Sequence, residues 1–233
     1  MSYLFTAIIV IYVMLVALMA IFQRNLLYLP DRQIATPEMY GLSGFSEDFV
    51  TTSDGVSLQL WYRPADDKMP TIIYFHGNAS HIGNRAGIYS ALSRKGFGVL
   101  AVSYRGYGKS GGSPSESGLY ADGRAAISFL TDSKNIPLTQ IMLYGESLGT
   151  GVAVQMATEY RIAALILQAP YTSVSGRAAE IYFFVPVKLV ILDHFDSLKK
   201  ISKVTVPLLV LHGEQDMTIP IRHGKTMLSA ANS

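Results

Sequence analysis

Hydrophobic and polar positions divide the 233-residue chain into an apolar head and a longer body in which short apolar runs alternate with mixed segments. From Leu4 to Phe22 no charged residue interrupts a run rich in Ile, Val, Leu and Met. As a helix this run is ~28 Å long, close to the thickness of a bilayer's hydrocarbon core. A buried core helix of that length would show a polar face, and none is visible. A cleaved signal would carry Lys or Arg ahead of the run and small residues at its end. Met1-Ser2-Tyr3 offers only the α-amino group, and Leu18 stands two residues before Ala20. The expectation is a retained single-span membrane anchor over 1–22, with residues 4–22 in the lipid bilayer. Arg24 and Arg32 favour a cytoplasmic body while the amino group pulls the other way, so the side of the membrane is undetermined.

After the anchor, 23–44 reads as a juxtamembrane linker, broken by Pro30 and Pro37. Ser46 to Arg63 reads as a hairpin: Phe49-Val50 and Val56 to Trp61 flank Ser53-Asp54-Gly55. Short apolar runs predict strands at Thr71–Phe75, Gly98–Tyr104, Ile141–Tyr144, Ala163–Gln168 and Val206–Leu211. Helical spacing predicts helices over Arg85–Arg94, stopped by Gly96, and over Ser117–Leu130. Strands alternating with helices imply an α/β domain over 45–233, with a mostly parallel sheet flanked by helices. Between Ser175 and Lys203 lies an aromatic and apolar insert, Ile181 to Leu192. It is short for a membrane span and is interrupted by Pro186 and Lys188, so a cap over the site or a core helix is expected in preference to a second membrane contact.

Composition narrows the partners. The formal net charge is +2 and no basic run appears, so no nucleic-acid partner is expected. Cysteine is absent, which excludes disulfides and thiolate metal sites. The five histidines are scattered without a His-x-x-x-His pair, and neither a metal nor a cofactor is expected.

The chemistry centres on Gly145-Glu-Ser-Leu-Gly149. It follows the apolar run ending at Tyr144 and precedes Val152, Ala153, Met156 and Tyr160 at helical spacing. Strand, sharp turn and helix with Ser147 at the apex is the arrangement that exposes a nucleophilic hydroxyl at the C-terminal edge of a sheet. The glycines avoid crowding strand against helix, and the helix N-terminus favours negative charge developing at the serine. A second match to the pattern, Gly108 to Gly112 around Ser110, leads into Ser113-Pro114-Ser115, which is turn chemistry. The same loop, Gly106 to Gly111, fits a dinucleotide fingerprint but opens no helix for a pyrophosphate, and a nucleotide is not expected.

A serine nucleophile requires oxyanion donors, a base and an acid that orients the base. The donors are expected to be the backbone N–H groups of Leu148, directly after the serine, and of Asn78, in the loop after the strand ending at Phe75. The candidate acid is Asp216, just past the strand ending at Leu211, with a helix-capping carboxylate before Pro220 as the alternative role. Asp193, Asp196 and Glu214 are poorer candidates, the first two because they belong to the insert.

Several motifs carry a resemblance: Phe22 to Pro30, His76-Gly-Asn-Ala79, Tyr104 to Ser110, Gly145 to Gly149, Phe195-Asp-Ser-Leu198 and His212-Gly-Glu-Gln-Asp216. With these the chain resembles the α/β-hydrolase superfamily. More narrowly it is similar to the membrane-anchored bud-emergence-like subfamily, related to the serine-aminopeptidase-type hydrolases and protein depalmitoylases. The resemblance implies the α/β-hydrolase fold, Ser147 as nucleophile, Asp216 as acid, and Arg105 to Gly112 as a structural loop beside the site. It also implies a base histidine one strand further on, and here the chain ends at Ser233. Only His223 follows Asp216, and it matches a histidine on the helix after the acid loop, not the base. No base histidine is therefore identified, and the expectation is a truncated chain lacking the last strand and helix. The expected activity is cleavage of an ester, thioester or amide of a small-molecule or acylated substrate through an acyl-enzyme on Ser147. The alternative is a non-catalytic remnant or membrane-anchored binding module.

Overall fold

Residues 2–232 are described by a computed structural model, and strand periodicity decides how they layer. In chain order the elements are α1 (Ser2–Leu27), β1 (Leu29–Pro30), β2 (Ser46–Thr51), β3 (Ser57–Arg63), β4 (Thr71–Phe75), β5 (Ala79–Ser80), α2 (Ala86–Ser93), β6 (Gly98–Val102) and α3 (Glu116–Ser128). There follow β7 (Ile141–Glu146), α4 (Leu148–Glu159), β8 (Ala164–Gln168), α5 (Val174–Ile181), α6 (Val187–Val190), α7 (Leu198–Ile201), β9 (Leu208–Leu211) and α8 (Arg222–Ala230). Seven strands form one sheet in the order β2-β3-β6-β4-β7-β8-β9. β2, β3 and β6 pair antiparallel in succession, and every other neighbour is parallel.

Every residue of β4 and β6 is buried, as central strands covered on both faces must be. Alternation sends Ile73, Phe75, Leu100 and Val102 to one face, where they meet the buried sides of α3 and α4. Ile72, Tyr74, Val99 and Ala101 go to the other, against Ala86 and Tyr89 of α2. Among the described residues this short helix and the 3-10 turn before it, with Ile82 buried, are the helical cover of that second face, and the chain between α1 and β2 completes it: Ala35, Leu42 and Phe45 are buried there.

The segment expected as a linker is thus woven into the domain. α1 runs on to Leu27, Tyr28 is buried, and Leu29–Pro30 pairs in parallel with Ala79–Ser80. Pro30 ends the two-residue β1 and Pro37 caps a single 3-10 turn, Glu38–Tyr40, so regular structure stays short while Ala35, Leu42 and Phe45 have sheet to cover. The insert folds back as two short helices, α5 and α6, in place of a single helix. At the other side of the sheet β9 pairs with β8 alone, and its Leu209 and Leu211 are about half exposed. α1 has a mean hydropathy of 2.9 over its most apolar window and none of that window is buried, so it is long and apolar enough to act as a membrane anchor.

Candidate active site

β7 ends at Glu146 and α4 starts at Leu148, leaving Ser147 alone to reverse the chain. Its φ of 49° and ψ of −115° lie where side chains other than glycine's are strained. The strain is held by its surroundings. Ser147 N–H donates to the Gln168 carbonyl at 2.9 Å, and the Ser147 carbonyl accepts from Thr150 N–H at 2.9 Å and Thr150 Oγ1 at 2.6 Å. The glycines are obligatory for packing: a Cβ on Gly149 would stand 2.0 Å from the Phe75 carbonyl oxygen, and one on Gly145 would stand 2.6 Å from that of Gly149.

The loop after β4 comes up against this turn. A Cβ on Gly77 would lie 3.5 Å from Ser147 Cβ, so the two segments are in contact. Asn78 is tied down on three sides. Its Nδ2 donates to the Leu27 carbonyl at 2.9 Å, and its carbonyl accepts from Leu29 N–H at 2.9 Å and the Tyr107 hydroxyl at 2.7 Å. Among the described residues, neither Asn78 N–H nor Leu148 N–H donates to a protein acceptor, and the Ser147 hydroxyl has no protein partner. The two loops are also bolted together from behind. Arg85 donates to both oxygens of Glu146 at 3.0 and 2.8 Å, and to the Ala79 carbonyl at 3.2 Å, while Tyr74 donates to Glu146 at 2.7 Å. Burial pushes the Glu146 carboxyl up, but the Arg85 hydrogen bonds and charge outweigh it and hold Glu146 below the ordinary range.

Asp216 lies in the turn after β9. Its Oδ1 accepts from Thr218 and Ile219 N–H, each at 2.8 Å, and its Oδ2 is 3.8 Å from His212 Nε2. Thr218 and Ile219 line the cavity that Ser147 faces, and Asp216 stands directly behind them. His223, second residue of α8, is buried with Nδ1 3.0 Å from Thr172 Oγ1 and Nε2 3.2 Å from Glu180. Both its nitrogens are thus engaged away from Ser147, and no histidine lines the cavity among the described residues. The glycine loop carrying Ser110 is tied to α3 and to the β2–β3 turn by Arg105, whose guanidinium meets Asp122 at 2.8 Å and Asp54 at 2.7 Å.

The cavity itself was not legible in the sequence. It measures about 250 Å³, and its lining is almost wholly apolar. Ser147, Leu148 and Asn78 form its floor, α5 and α6 supply one wall, and Met19, Ala20, Gln23 and Leu27 of α1 supply the opposite wall. Asp193, a rejected acid candidate, joins the walls: it accepts from Arg24 Nε at 3.0 Å, the Tyr28 hydroxyl at 3.1 Å and Glu116 N–H at 3.0 Å.

Comparison with known proteins agrees with this architecture. Residues 66–195 match the family described as serine aminopeptidase, S33. An uncharacterized protein of Mycobacterium tuberculosis is 36% identical over 211 residues, covering 90% of this chain and 75% of its own. Alpha/beta hydrolase domain-containing protein 17C of Mus musculus is 38% identical over 169 residues, covering 72% of this chain and 52% of that protein. Among solved structures, a Pyrococcus furiosus esterase superposes with a TM-score of 0.71 at 22% identity, covering 87% of this chain and 84% of the esterase. The chain belongs to the serine aminopeptidase S33 family of α/β hydrolases.

Proposed function

We propose that the protein is a membrane-tethered serine hydrolase that cleaves an ester, thioester or amide through an acyl-enzyme on Ser147. One observation supports this reading: an unpartnered hydroxyl on a strained turn lines an apolar cavity together with Asn78 and Leu148, whose backbone N–H groups have no protein acceptor among the described residues. Ser147 Oγ attacks the carbonyl carbon of the substrate. The oxyanion that forms is held by Asn78 and Leu148 N–H, reinforced by the N-terminal end of α4. Collapse expels the leaving group and leaves the acyl group in the apolar cavity, and water then releases it. Tethering is the role of α1, whose length and apolarity suit it. We assign Asp216, in the turn after β9, as the acid that would orient a base.

The proton on Ser147 needs an acceptor, and none of the five histidines lines the cavity. That observation favours a second reading, an acyl-binding module that turns over slowly or not at all. Oxyanion donors and binding without a full triad still sustain about 10³–10⁴-fold acceleration over water. The test is labelling by a fluorophosphonate and hydrolysis of a short-chain nitrophenyl ester by the full chain and by Ser147→Ala. The expected result is measurable labelling and turnover, both lost in the variant. Labelling that persists in Ser147→Ala would refute the nucleophile, and an unlabelled wild-type protein would leave the binding module as the working reading.

A further inference from the structure

The insert lies alongside α1 deep within the run expected to cross the membrane. Asp193 meets Arg24, Leu192 N–H donates to Gln23 Oε1 at 2.6 Å, and Gln23 Nε2 donates to the Val190 carbonyl at 3.1 Å. Further along, the Tyr12 hydroxyl donates to the Phe184 carbonyl at 2.7 Å. The insert therefore tracks α1 from Gln23 back to Tyr12, a distance of ~16 Å at 1.5 Å per residue. Gln23 and Arg24 are the first polar residues after the apolar run, so they mark its end. Whatever stands level with Tyr12 stands well inside the layer that the run occupies.

The composition and bonding of the insert suit that layer. Phe183 is 84% exposed and Leu189 is 86% exposed, both without protein cover. Hydrocarbon also demands that backbone polar groups be satisfied internally. The N–H groups of Val185, Val187, Leu189 and Ile191 donate to carbonyls within the segment, that of Tyr182 donates to the Ala178 carbonyl of α5, and Pro186 has none. The polar side chains that α1 turns toward the insert, Tyr12 and Gln23, bond three more of its backbone groups: the Phe184 and Val190 carbonyls and the Leu192 N–H. Lys188 is the one charged residue between Ile181 and Leu192, and its long stem can carry the ammonium toward the interface.

We propose that residues 181–192 are a second membrane-embedded element beside α1, and that the Ser147 cavity between them opens into the bilayer and receives the acyl chain of a membrane-resident ester laterally. The substrate class rests on the hydrolase reading above; the embedding of the insert does not. Met19 and Ala20 on one wall and Val190 and Ile191 on the other put the cavity's outer part beyond Gln23, on the hydrocarbon side, while Ser147 lies at its inner end. An acyl chain can then slide along α1 without entering water, and its ester group reaches the serine near the headgroup level. Sequence reading disfavoured a membrane contact here because a segment this short cannot span. It need only dip in, with α1 supplying partners for the Phe184 and Val190 carbonyls and the Leu192 N–H.

The experiment uses the full chain in phosphatidylcholine vesicles. The protein has no native cysteine, so single cysteines can carry an environment-sensitive fluorophore. Phe183→Cys and Leu189→Cys should be quenched by lipids bearing a nitroxide on the acyl chain as strongly as Ile11→Cys on α1. Lys95→Cys, exposed at the far edge of the sheet, should not be quenched. Quenching at 183 and 189 no greater than at 95 overturns the proposal, whether Ile11→Cys is quenched or not. The same follows if those cysteines are shielded because two copies cross-link through them. Phe183→Asp with Leu189→Asp touches no packed residue and should lower turnover of a vesicle-embedded long-chain ester roughly tenfold or more, since aspartate partitions poorly into hydrocarbon. Hydrolysis of a short soluble ester should not change, and equal loss on both substrates overturns lateral entry. Ser147→Ala should abolish both activities and leave the quenching intact, which separates a failure of the hydrolase reading from a failure of this one.

Discussion

Replacing His76 by asparagine should flatten the acid limb of this protein's stability. His76 is fully buried just past β4, one residue before Gly77, where an added Cβ would come within 3.5 Å of Ser147 Cβ. Its Nδ1 lies 2.7 Å from the Gly77 carbonyl and must carry the proton to bond it, which leaves Nε2 bare and without a partner. Burial pushes the imidazole down from 6.5 to about 4, against the upward pull of the Gly77 carbonyl. The unfolded chain therefore takes the proton first. The stability contributed by neutral His76 is complete above pH ~6.5 and is lost as pH falls toward 4. Two and a half units correspond to about 3 kcal/mol in all, of which about 2 kcal/mol is lost between pH 8 and pH 5. For a chain of this size that is roughly 4–8 °C in Tm. Asparagine can keep the bond to the Gly77 carbonyl without titrating. The assay is urea unfolding in detergent at a series of pH values, followed by the fluorescence of Trp61, which is the chain's single tryptophan and is fully buried. The wild type should lose about 2 kcal/mol more than His76→Asn between pH 8 and pH 5. Parallel curves would show that His76 does not stay neutral in the fold and would refute the reasoning.

Gly149→Ala should cost more than the ~1–3 kcal/mol of ordinary overpacking, because its Cβ would meet backbone atoms of Phe75 that cannot swing aside. Gly87→Ala, in the exposed face of α2 with nothing within 4 Å, should instead stabilise by up to ~1 kcal/mol. Equal urea midpoints for these two variants would sink the packing argument at the turn. Asp122→Ala should destabilise by about 3–5 kcal/mol, since it leaves the Arg105 guanidinium and backbone N–H without their buried partner. A loss below ~1 kcal/mol in the same assay would mean that the exposed Asp54 carries Arg105 by itself.

Local chemistry made much of the fold legible. The hairpin around Ser53-Asp54-Gly55, the buried strands ending at Phe75 and Val102, and the turn at Ser147 all follow from periodicity and turn residues within a dozen positions. The sharp turn also put Ser147 and Leu148 together, because they are neighbours in the chain. Alternation of strand and helix implied a mostly parallel sheet, but not the order of its strands.

What the amino-acid order could not reveal are the contacts between distant segments. Residues 23–44 looked like a linker because prolines suppress regular structure there. Only the folded sheet shows that α2 is too short to cover its face, so that Ala35, Leu42 and Phe45 must. Asp193 looked like a weak catalytic candidate, and the tertiary structure makes it the clasp between Arg24, Tyr28 and α3. α1 read as an anchor and no more, yet one of its faces walls the cavity above Ser147. Residue order was enough for most strands of the sheet, the sharp turn at Ser147 and the membrane-length helix, because each depends on residues close in the chain. The tertiary structure alone decided that helix and insert meet across some 170 residues to enclose one apolar cavity, because burial of apolar surface has no direction and no range along the chain.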